Sequence, residues 1–209
     1  MTAASGKVDF KREFKNFYHP GNQPEIVIVP TFRFLMFEGE GSTESVSFKK
    51  AIEALFTVSY KAKFWIRRNR RIDYGVMPLE GLWWADDPKV FTEADKDKWK
   101  WVLMIMQPPP VSGTAMQQAL SEVRKKKEPE IPGKIAFRDF EEGLCVQMMH
   151  VGPFSEEHAK IMEMHSIIKK NGGCFDGKTQ KHHEIYLSDF RKVAPNRMRT
   201  VLRQPFQRA

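Results

Sequence analysis

The spacing of apolar residues along the chain predicts short strands that alternate with helices. In the first half, apolar runs of strand length occupy residues 26–29, 32–37, 76–84 and 99–106. Between the second and third runs, apolar residues recur at helical spacing from Ser47, whose hydroxyl is a suitable N-cap, to about Trp65. An amphipathic helix is expected at 114–127, after three prolines that end the fourth run. Residues 1–24 are polar and predict only a short helix and a linker.

The second half of the chain repeats the order of elements found in the first. A segment with two prolines and a glycine, residues 128–133, is the best internal boundary. Beyond it, strand-like runs occupy residues 135–140, 143–151, 183–188 and 199–204. The first two runs form a strand pair or one broken strand, and a helix capped by Ser155 separates them from the third. The sequence therefore predicts an α+β fold of two duplicated tandem strand–helix–strand–strand modules with antiparallel sheets, residues 25–127 and 128–209.

The composition is that of a globular chain with an unusual number of bulky side chains. A hydrophobic share of 41% excludes wholesale disorder, and no apolar run approaches the roughly 20 residues of a membrane helix. The chain starts without a signal-peptide hydrophobic region and has two cysteines, Cys145 and Cys174, so we expect a cytoplasmic protein. Sixteen Phe, five Trp and eleven Met mean that either the core is unusually bulky or some of these residues line a site.

The charge balance changes this picture little. A net charge of +8 is compatible with a nucleic-acid partner, because phosphate neutralisation supplies most non-specific affinity for DNA. The basic residues are scattered, however, and their densest clusters, 67–71 and 125–127, lie where helices are expected to end. Cations are favoured there by the helix dipole. We therefore favour solvated helix ends over an acidic partner.

Several motifs with known chemistry are absent from the sequence. It has no Gly-rich phosphate loop, no His-Glu-x-x-His, no Cys-x-x-Cys and no Gly-x-Ser-x-Gly. His182 and Glu184 would share one face of a strand, but a third ligand with useful local spacing is missing. We therefore expect neither a metal ion nor another cofactor.

Glu184 has the clearest chemical interest. Strand alternation places it on one face with Tyr186. A carboxylate beside a phenol on a central strand is unfavourable unless that face is wet, partnered or functional. A solvent-facing sheet surface also explains the pair. Glu80, early in the corresponding strand of the first half and on one face with Leu82 and Trp84, favours the functional interpretation.

The aromatic residues extend this interpretation to a binding site. The residues predicted to bind a ligand are Tyr60, Trp65, Tyr74, Glu80, Trp84, Trp99 and His150. Core packing must account for several of the rings. The others would form an aromatic box over a carboxylate, which suits flat or cationic organic ligands through stacking, cation–π attraction and charge complementarity.

Six segments carry a resemblance to a known family. They are LMFEGEG (35–41), AIEAL (51–55), MPLEGLWW (77–84), WKWVLMIMQP (99–108), HHEIYLSD (182–189) and RKVAPNRMRT (191–200). From about Phe10 to its end, the chain resembles the GyrI-like small-molecule-binding family. The resemblance implies two tandem modules with a ligand pocket between them. In multidrug-sensing relatives that pocket holds lipophilic, often cationic ligands around a buried glutamate, whose position Glu184 matches.

The resemblance also implies a possible reaction. Residues 1–24 are too few for a helix-turn-helix, so a DNA-binding regulator is not expected. The chain is similar to a stand-alone subfamily of cyclopropanoid cyclopropyl hydrolases, which open the strained ring of yatakemycin-type DNA-alkylating compounds in an aromatic cage. By that analogy Glu184 is the general base, and Tyr186 or Tyr74 donates to the substrate carbonyl. Two alternatives stay open: a non-catalytic drug-binding or sequestering protein, and a gyrase-inhibitor-like interaction protein.

Overall fold

All eight predicted strands form, and they join one antiparallel sheet. The structure is a computed structural model that describes residues 6–86, 97–126 and 135–208. Its strands are β1 (Glu25–Val29), β2 (Phe32–Glu40), β3 (Leu79–Trp84), β4 (Lys100–Met106), β5 (Ala136–Phe140), β6 (Gly143–Val151), β7 (Gly173–Cys174), β8 (His182–Tyr186), β9 (Arg199–Pro205) and β10 (Gln207–Arg208). Strands β7 and β10 form a separate two-stranded ribbon. The antiparallel α+β prediction is confirmed.

The predicted helices also form, with shifted ends. They are α1 (Phe10–Glu13), α2 (Lys15–Tyr18), α3 (Val46–Arg70), α4 (Gly113–Lys126) and α5 (His158–Lys170). The N-cap of α3 is Ser45 and not Ser47, because the Ser45 Oγ accepts the Phe48 N–H at 3.2 Å. The helix continues past the expected end at Trp65 to Arg70. No helix within the described ranges is long and apolar enough to span a membrane.

Helix α5 begins later than expected. A single 3-10 turn, Phe154–Glu156, holds Ser155, the predicted cap, and the α-helix starts at His158. The residue at its N-cap position, Glu157, makes no capping hydrogen bond with its side chain. The internal boundary predicted at 128–133 lies outside the described residues.

The order of strands in the sheet has the two-fold duplication built into it. From edge to edge the order is β1-β6-β9-β8-β3-β4-β2-β5. Exchanging β1 with β5, β2 with β6, β3 with β8 and β4 with β9 gives the same order read from the other edge. The repeated units are therefore β2–α3–β3–β4 and β6–α5–β8–β9, and they meet at the sheet centre through the β3–β8 pair.

Each edge of the sheet is completed by a strand from the other half of the chain. Strand β1 pairs with β6, and β5 pairs with β2. The prediction that the runs at 135–140 and 143–151 form a strand pair with each other, or one broken strand, is therefore wrong. The first run fills the open edge of the first repeat, while the second lies between β1 and β9.

The sheet has two faces, which we call the helix face and the N-terminal face. Helices α3 and α5 cover the helix face, where Trp101 contacts α3 and Leu202 contacts α5. Helices α1 and α2 cover the N-terminal face, where Tyr18 reaches the sheet. Because side chains alternate along a strand, Glu184, directly across from Leu202, lies on the helix face, whereas His183 lies on the N-terminal face.

Part of the aromatic and methionine excess lies in the core. Trp101 is fully buried and packs against Phe37 and Phe48 at ring-centroid distances of 5.9 and 5.0 Å. Under α5, Met148 and Met164 belong to a second, smaller core. The larger core spans the first repeat and the sheet centre, where it includes Ile185 and Val201, and the smaller core lies between α5 and the sheet.

Candidate functional site

Glu184 and Tyr186 form the centre of the candidate site, on the helix face of β8. The Tyr186 hydroxyl donates a 2.7 Å hydrogen bond to Glu184 Oε2. The indole N–H of Trp83, on the neighbouring strand β3, donates to the Tyr186 oxygen at 3.1 Å. The side chain of Glu184 keeps 17% of its surface exposed, whereas Tyr186 is buried. The carboxylate is thus held by a phenol and stays open to water or a ligand.

Burial and charge keep Tyr186 protonated. Burial raises the pKa of the Tyr186 phenol well above its usual range, and the negative charge of the adjacent Glu184 raises it further. At neutral pH the phenol is therefore a fixed hydrogen-bond donor. Its proton is directed at the carboxylate of Glu184.

Aromatic rings from both repeats enclose Tyr186. Phe154, in the turn before α5, and Phe190, after β8, pack edge-on against its ring, with centroids 5.8 and 5.7 Å away. From the first repeat, Trp83 packs edge-on against Trp99, with ring centroids 6.0 Å apart. Edge-to-face packing of this kind fixes ring orientation. The aromatic enclosure therefore lies where the two repeats meet.

A cleft of about 650 Å³ leads to Tyr186 along α3. Phe56 and Tyr60 of α3 form one wall, and the segment 187–192 after β8 forms the other. Tyr60 keeps 46% of its surface exposed, so it stands at the rim. The volume falls within the roughly 300–1,000 Å³ of small-molecule sites. The lining combines aromatic rings with charged side chains such as Glu53 and Asp189.

Glu157 brings a second carboxyl group to this site. It is buried at the start of α5, and its Oε1 has no hydrogen-bond partner among the described residues. Burial and the negative charge of Glu184 raise the pKa of Glu157 to about 9, although a hydrogen bond with Thr200 opposes the rise. At neutral pH the two carboxyl groups therefore carry one negative charge and one proton between them.

Glu80 belongs to a different cluster, a closed ionic network on the N-terminal face. Tyr18 donates to Glu80 Oε1 at 2.7 Å, and His183 Nε2 lies 3.1 Å from Glu80 Oε2. The other imidazole nitrogen of His183 lies 2.8 Å from Glu142, which also accepts from Arg203 at 2.7 Å. All five side chains are buried. Two carboxylates and two cations balance, so the network carries no net charge.

The charges of this network hold one another in place. Burial disfavours the ionised form of Glu142, but the cations His183 and Arg203 outweigh it and lower the pKa of Glu142 to about 2. Burial also disfavours the charge on His183, but Glu142 and Glu80 outweigh it and raise the pKa of His183. This network pairs each buried carboxylate with a cation, and the hydrogen bond from Tyr18 ties α2 to the sheet.

Three of the predicted ligand-binding residues lie close to the site. Tyr60 is at the cleft rim, and Trp99 reaches the site through its contact with Trp83. His150 shares the helix face with Tyr186, since both lie directly across from Thr200 of β9. These three therefore lie on the same side of the sheet as Tyr186, whereas their role in binding a ligand stays a prediction.

The other four predicted ligand-binding residues lie elsewhere. Glu80 is in the ionic network, and Trp84 points to the N-terminal face, where Lys181 Nζ lies 4.8 Å from its ring centre. Tyr74 is buried beside α1. Trp65 packs against the core of the first repeat. The structure does not bring these side chains to Glu184.

The strand register explains which site residues the sequence reasoning missed. Glu184 lies directly across from Gly81, so Trp83 shares its face, whereas Glu80 does not. Alternation within the sequence already separated Trp83 from its neighbour but gave no register to choose between them. Phe154 and Glu157 carry no sequence signal, because an adjacent glutamate and several other phenylalanines look equivalent until the chain is folded.

The His182–Glu184 pair does not extend to a metal centre. The His182 Nε2 atom lies 3.5 Å from Glu184 Oε1. Within residues 6–86, 97–126 and 135–208, no group of three His, Cys, Asp or Glu side chains is arranged to hold a metal ion.

Comparison with known proteins defines the kind of domain. Residues 22–206 match the family described as a GyrI-like small molecule binding domain. An uncharacterized conserved protein from Listeria innocua is 42% identical, with 96% of this chain and 100% of that chain covered and a TM-score of 0.87. A structure described as a hydrolase from Listeria innocua is 39% identical over the same shares, with a TM-score of 0.83.

A more distant comparison extends the fold likeness. The EcmrR C-terminal domain is 11% identical over 90% of this chain and 98% of that chain, with a TM-score of 0.52, and so shares the fold alone. No curated protein matches the chain in sequence. The likeness in fold thus reaches well beyond the proteins that are similar in sequence.

Proposed function

Because the chain belongs to the GyrI-like small-molecule-binding family, we propose that it binds planar lipophilic xenobiotics at Glu184 and Tyr186 and hydrolyses cyclopropane rings in yatakemycin-type compounds. The observation that carries the proposal is the carboxylate–phenol pair of Glu184 and Tyr186, whose phenol lines the cleft along α3. A carboxylate held at 2.7 Å by a phenol is oriented, and 17% exposure leaves it able to meet water. The Listeria structure described as a hydrolase supports an enzyme over a passive binder.

The aromatic enclosure suits a flat substrate. The cleft along α3 is lined by the rings of Phe56, Tyr60, Tyr186 and Phe190, so a planar ligand entering it would stack on these rings. Stacking would hold the strained ring close to Glu184. Fixing a reactive pose in this way converts an encounter with water into an oriented attack.

The proposed reaction adds one water molecule to the substrate. Glu184 takes a proton from water as the water oxygen bonds to the cyclopropane methylene carbon. The ring C–C bond breaks, and its electron pair moves through the dienone to the carbonyl oxygen, which becomes a phenolate and is then protonated. The Tyr186 proton is directed at Glu184, so this phenol orients the base in the proposed mechanism. Destroying a DNA-alkylating ring would protect the cell.

The test is turnover of a spirocyclopropyl dienone substrate, with the hydrated product measured by mass spectrometry. Catalytic amounts of the protein should convert excess substrate. Glu184→Gln should lower kcat by about 10²- to 10⁴-fold, because the amide cannot accept the proton. The matched control is Glu122→Gln on α4, an exposed glutamate ion-paired with Lys61, which should keep full activity. Equal activity of Glu184→Gln and the control would refute the role of Glu184 as base.

A non-catalytic function is the second candidate, favoured by the family's small-molecule-binding description. A drug-sequestering protein would protect the substrate one-to-one and release no hydrated product. A gyrase-inhibitor-like protein would slow the supercoiling of DNA by gyrase. In neither case does this protein itself need to bind nucleic acid. We place the activity in the cytoplasm, because Cys145 and Cys174 are both free thiols, which suits a reducing compartment.

A further inference from the structure

We propose that Glu157 is a second catalytic residue of this site, a neutral carboxylic acid that donates its proton to the carbonyl oxygen of the substrate. The inference rests on the proposed function and completes it. The hydrolysis needs a donor for the carbonyl as well as a base for the water. Tyr186 is occupied, since its hydroxyl donates to Glu184 and accepts from Trp83.

The position of Glu157 fits this role. It is 4% exposed, and its Oε1 is buried without a partner among the described residues. A buried carboxyl oxygen without a partner is unfavourable unless something else completes it. Phe154, three residues earlier, packs on the ring of Tyr186, so this segment covers the site. A ligand carbonyl would supply the hydrogen-bond acceptor that a protonated Glu157 lacks.

The groups around Glu157 keep its proton in place. Glu184 and Tyr186 of β8 and Thr200 of β9 face it from the sheet, and His182 lies 3.5 Å from Glu184. Of these, the ionised Glu184 repels a second negative charge, and burial acts in the same direction. The pKa of Glu157 is raised to about 9, so the acid form persists at neutral pH. Two carboxyl groups in unlike environments divide into a base and an acid.

The proton balance closes within the pair. Glu184 gains the proton from water as the C–O bond forms, and Glu157 gives its proton to the phenolate oxygen as the ring C–C bond breaks. The pair carries one negative charge before and after. Transfer of the proton from Glu184 back to Glu157 restores the starting state.

The first test observes the proton directly and needs no substrate. In protein labelled with ¹³C at the glutamate carboxyl carbons, the signal lost in Glu157→Gln identifies Glu157. We expect this signal to report a protonated carboxyl at pH 7 that titrates near pH 9. In Glu184→Gln the midpoint should fall, because the repelling charge is gone. An ionised Glu157 at pH 7 in the wild type would overturn the proposal.

The second test separates Glu157 from the proposed function. Wild-type protein, Glu157→Gln, Glu157→Ala and the Glu122→Gln control are compared on the spirocyclopropyl substrate, with melting temperatures measured alongside. Glu157→Gln keeps a hydrogen-bond donor but no transferable acid, so kcat should fall about 10²-fold or more while KM changes little. In the wild type, kcat/KM should fall above pH 9 as Glu157 loses its proton. This fall should be absent in Glu157→Gln.

Each result has one meaning. If the wild type turns over and both Glu157 variants keep its kcat, the role of Glu157 is refuted and the proposed hydrolysis stands. If the wild type does not turn over, the hydrolase function fails and the catalytic role of Glu157 fails with it. The titration would then still show whether the site holds a protonated carboxyl.

Discussion

The two faces of β8 offer a comparison between neighbours. His183 and Glu184 are consecutive in the chain, and each belongs to a cluster that also contains a carboxyl group and a tyrosine. On the N-terminal face, opposite charges balance and hydrogen bonds tie Glu80 and Glu142 to Tyr18 and Arg203. On the helix face, Glu184 keeps 17% of its side chain exposed, with the imidazole of His182 3.5 Å away. A carboxylate whose partners are complete holds a fold together, whereas one with bonding capacity left is available for chemistry.

The strongest test of this comparison is to remove one carboxylate from each face. Glu142→Gln should lower the free energy of unfolding by about 3–5 kcal/mol, because Arg203 and His183 would stay buried without their anion. Glu184→Gln should change the stability by about 1 kcal/mol or less, since it is hydrogen-bonded at the edge of water. Urea unfolding followed by circular dichroism measures both. Similar losses in the two variants would break the comparison.

The pH dependence of stability should come from the closed network. The folded pKa of Glu142 is about 2, below its usual 4.5, so its contribution is present above pH 4.5 and is lost as the pH falls towards 2. The loss should reach about 3 kcal/mol and be absent in Glu142→Gln. For His183 the pKa is raised, so its contribution is complete below pH 6.5 and is lost as the pH rises through the folded pKa. Unfolding at a series of pH values checks both signs.

The two tyrosines provide a smaller, matched pair of changes. Tyr18→Phe removes the donor to buried Glu80 Oε1 and should destabilise the fold by about 1–3 kcal/mol, without affecting ligand binding. Tyr186→Phe frees Glu184, which water can reach, so its stability cost should be nearer 1 kcal/mol. The main effect of Tyr186→Phe should be weaker binding of a planar aromatic probe. Thermal unfolding and a fluorescence titration measure stability and binding in both variants. A larger binding loss in Tyr18→Phe, or a larger stability loss in Tyr186→Phe, would contradict this prediction.

The adjacent tryptophans should give the smallest difference. Trp83→Phe loses the hydrogen bond to Tyr186 and should weaken binding of the probe by about 0.5–1.5 kcal/mol. Trp84→Phe changes a ring on the N-terminal face, beside Lys181, and should weaken binding by less. The ratio of the two dissociation constants is the measurement. A larger effect at Trp84 than at Trp83 would instead support the prediction from the sequence that Trp84 binds the ligand.

Periodicity in the sequence was sufficient to find the elements and the duplication. Alternation and helical spacing respond to burial on one side, and burial is what the two repeats share. The face of Glu184 and Tyr186 followed from the same alternation, and their hydrogen bond confirms it.

Pairing between distant strands could not be obtained in this way. Alignment of the two halves of the sequence matches Glu80 with Glu184. In the sheet, however, the residue directly across from Glu184 is Gly81. An offset of one residue reverses the face of every side chain on a strand, which is why Glu80 lies in the ionic network. The acid role of Glu157 depends on the charge of a residue 27 positions away, which local sequence does not reveal.

The exchanged edge strands make the order of synthesis matter. Strand β2 is made early, but its outer edge is covered only by β5, and β6 receives β1 from the start of the chain. Until about residue 140 has left the ribosome, the first repeat exposes an open strand edge of the kind that promotes aggregation. A chain stopped at residue 126 should therefore aggregate more readily than the full chain, as light scattering during translation would show. The two halves are interlocked, and neither is complete until both exist.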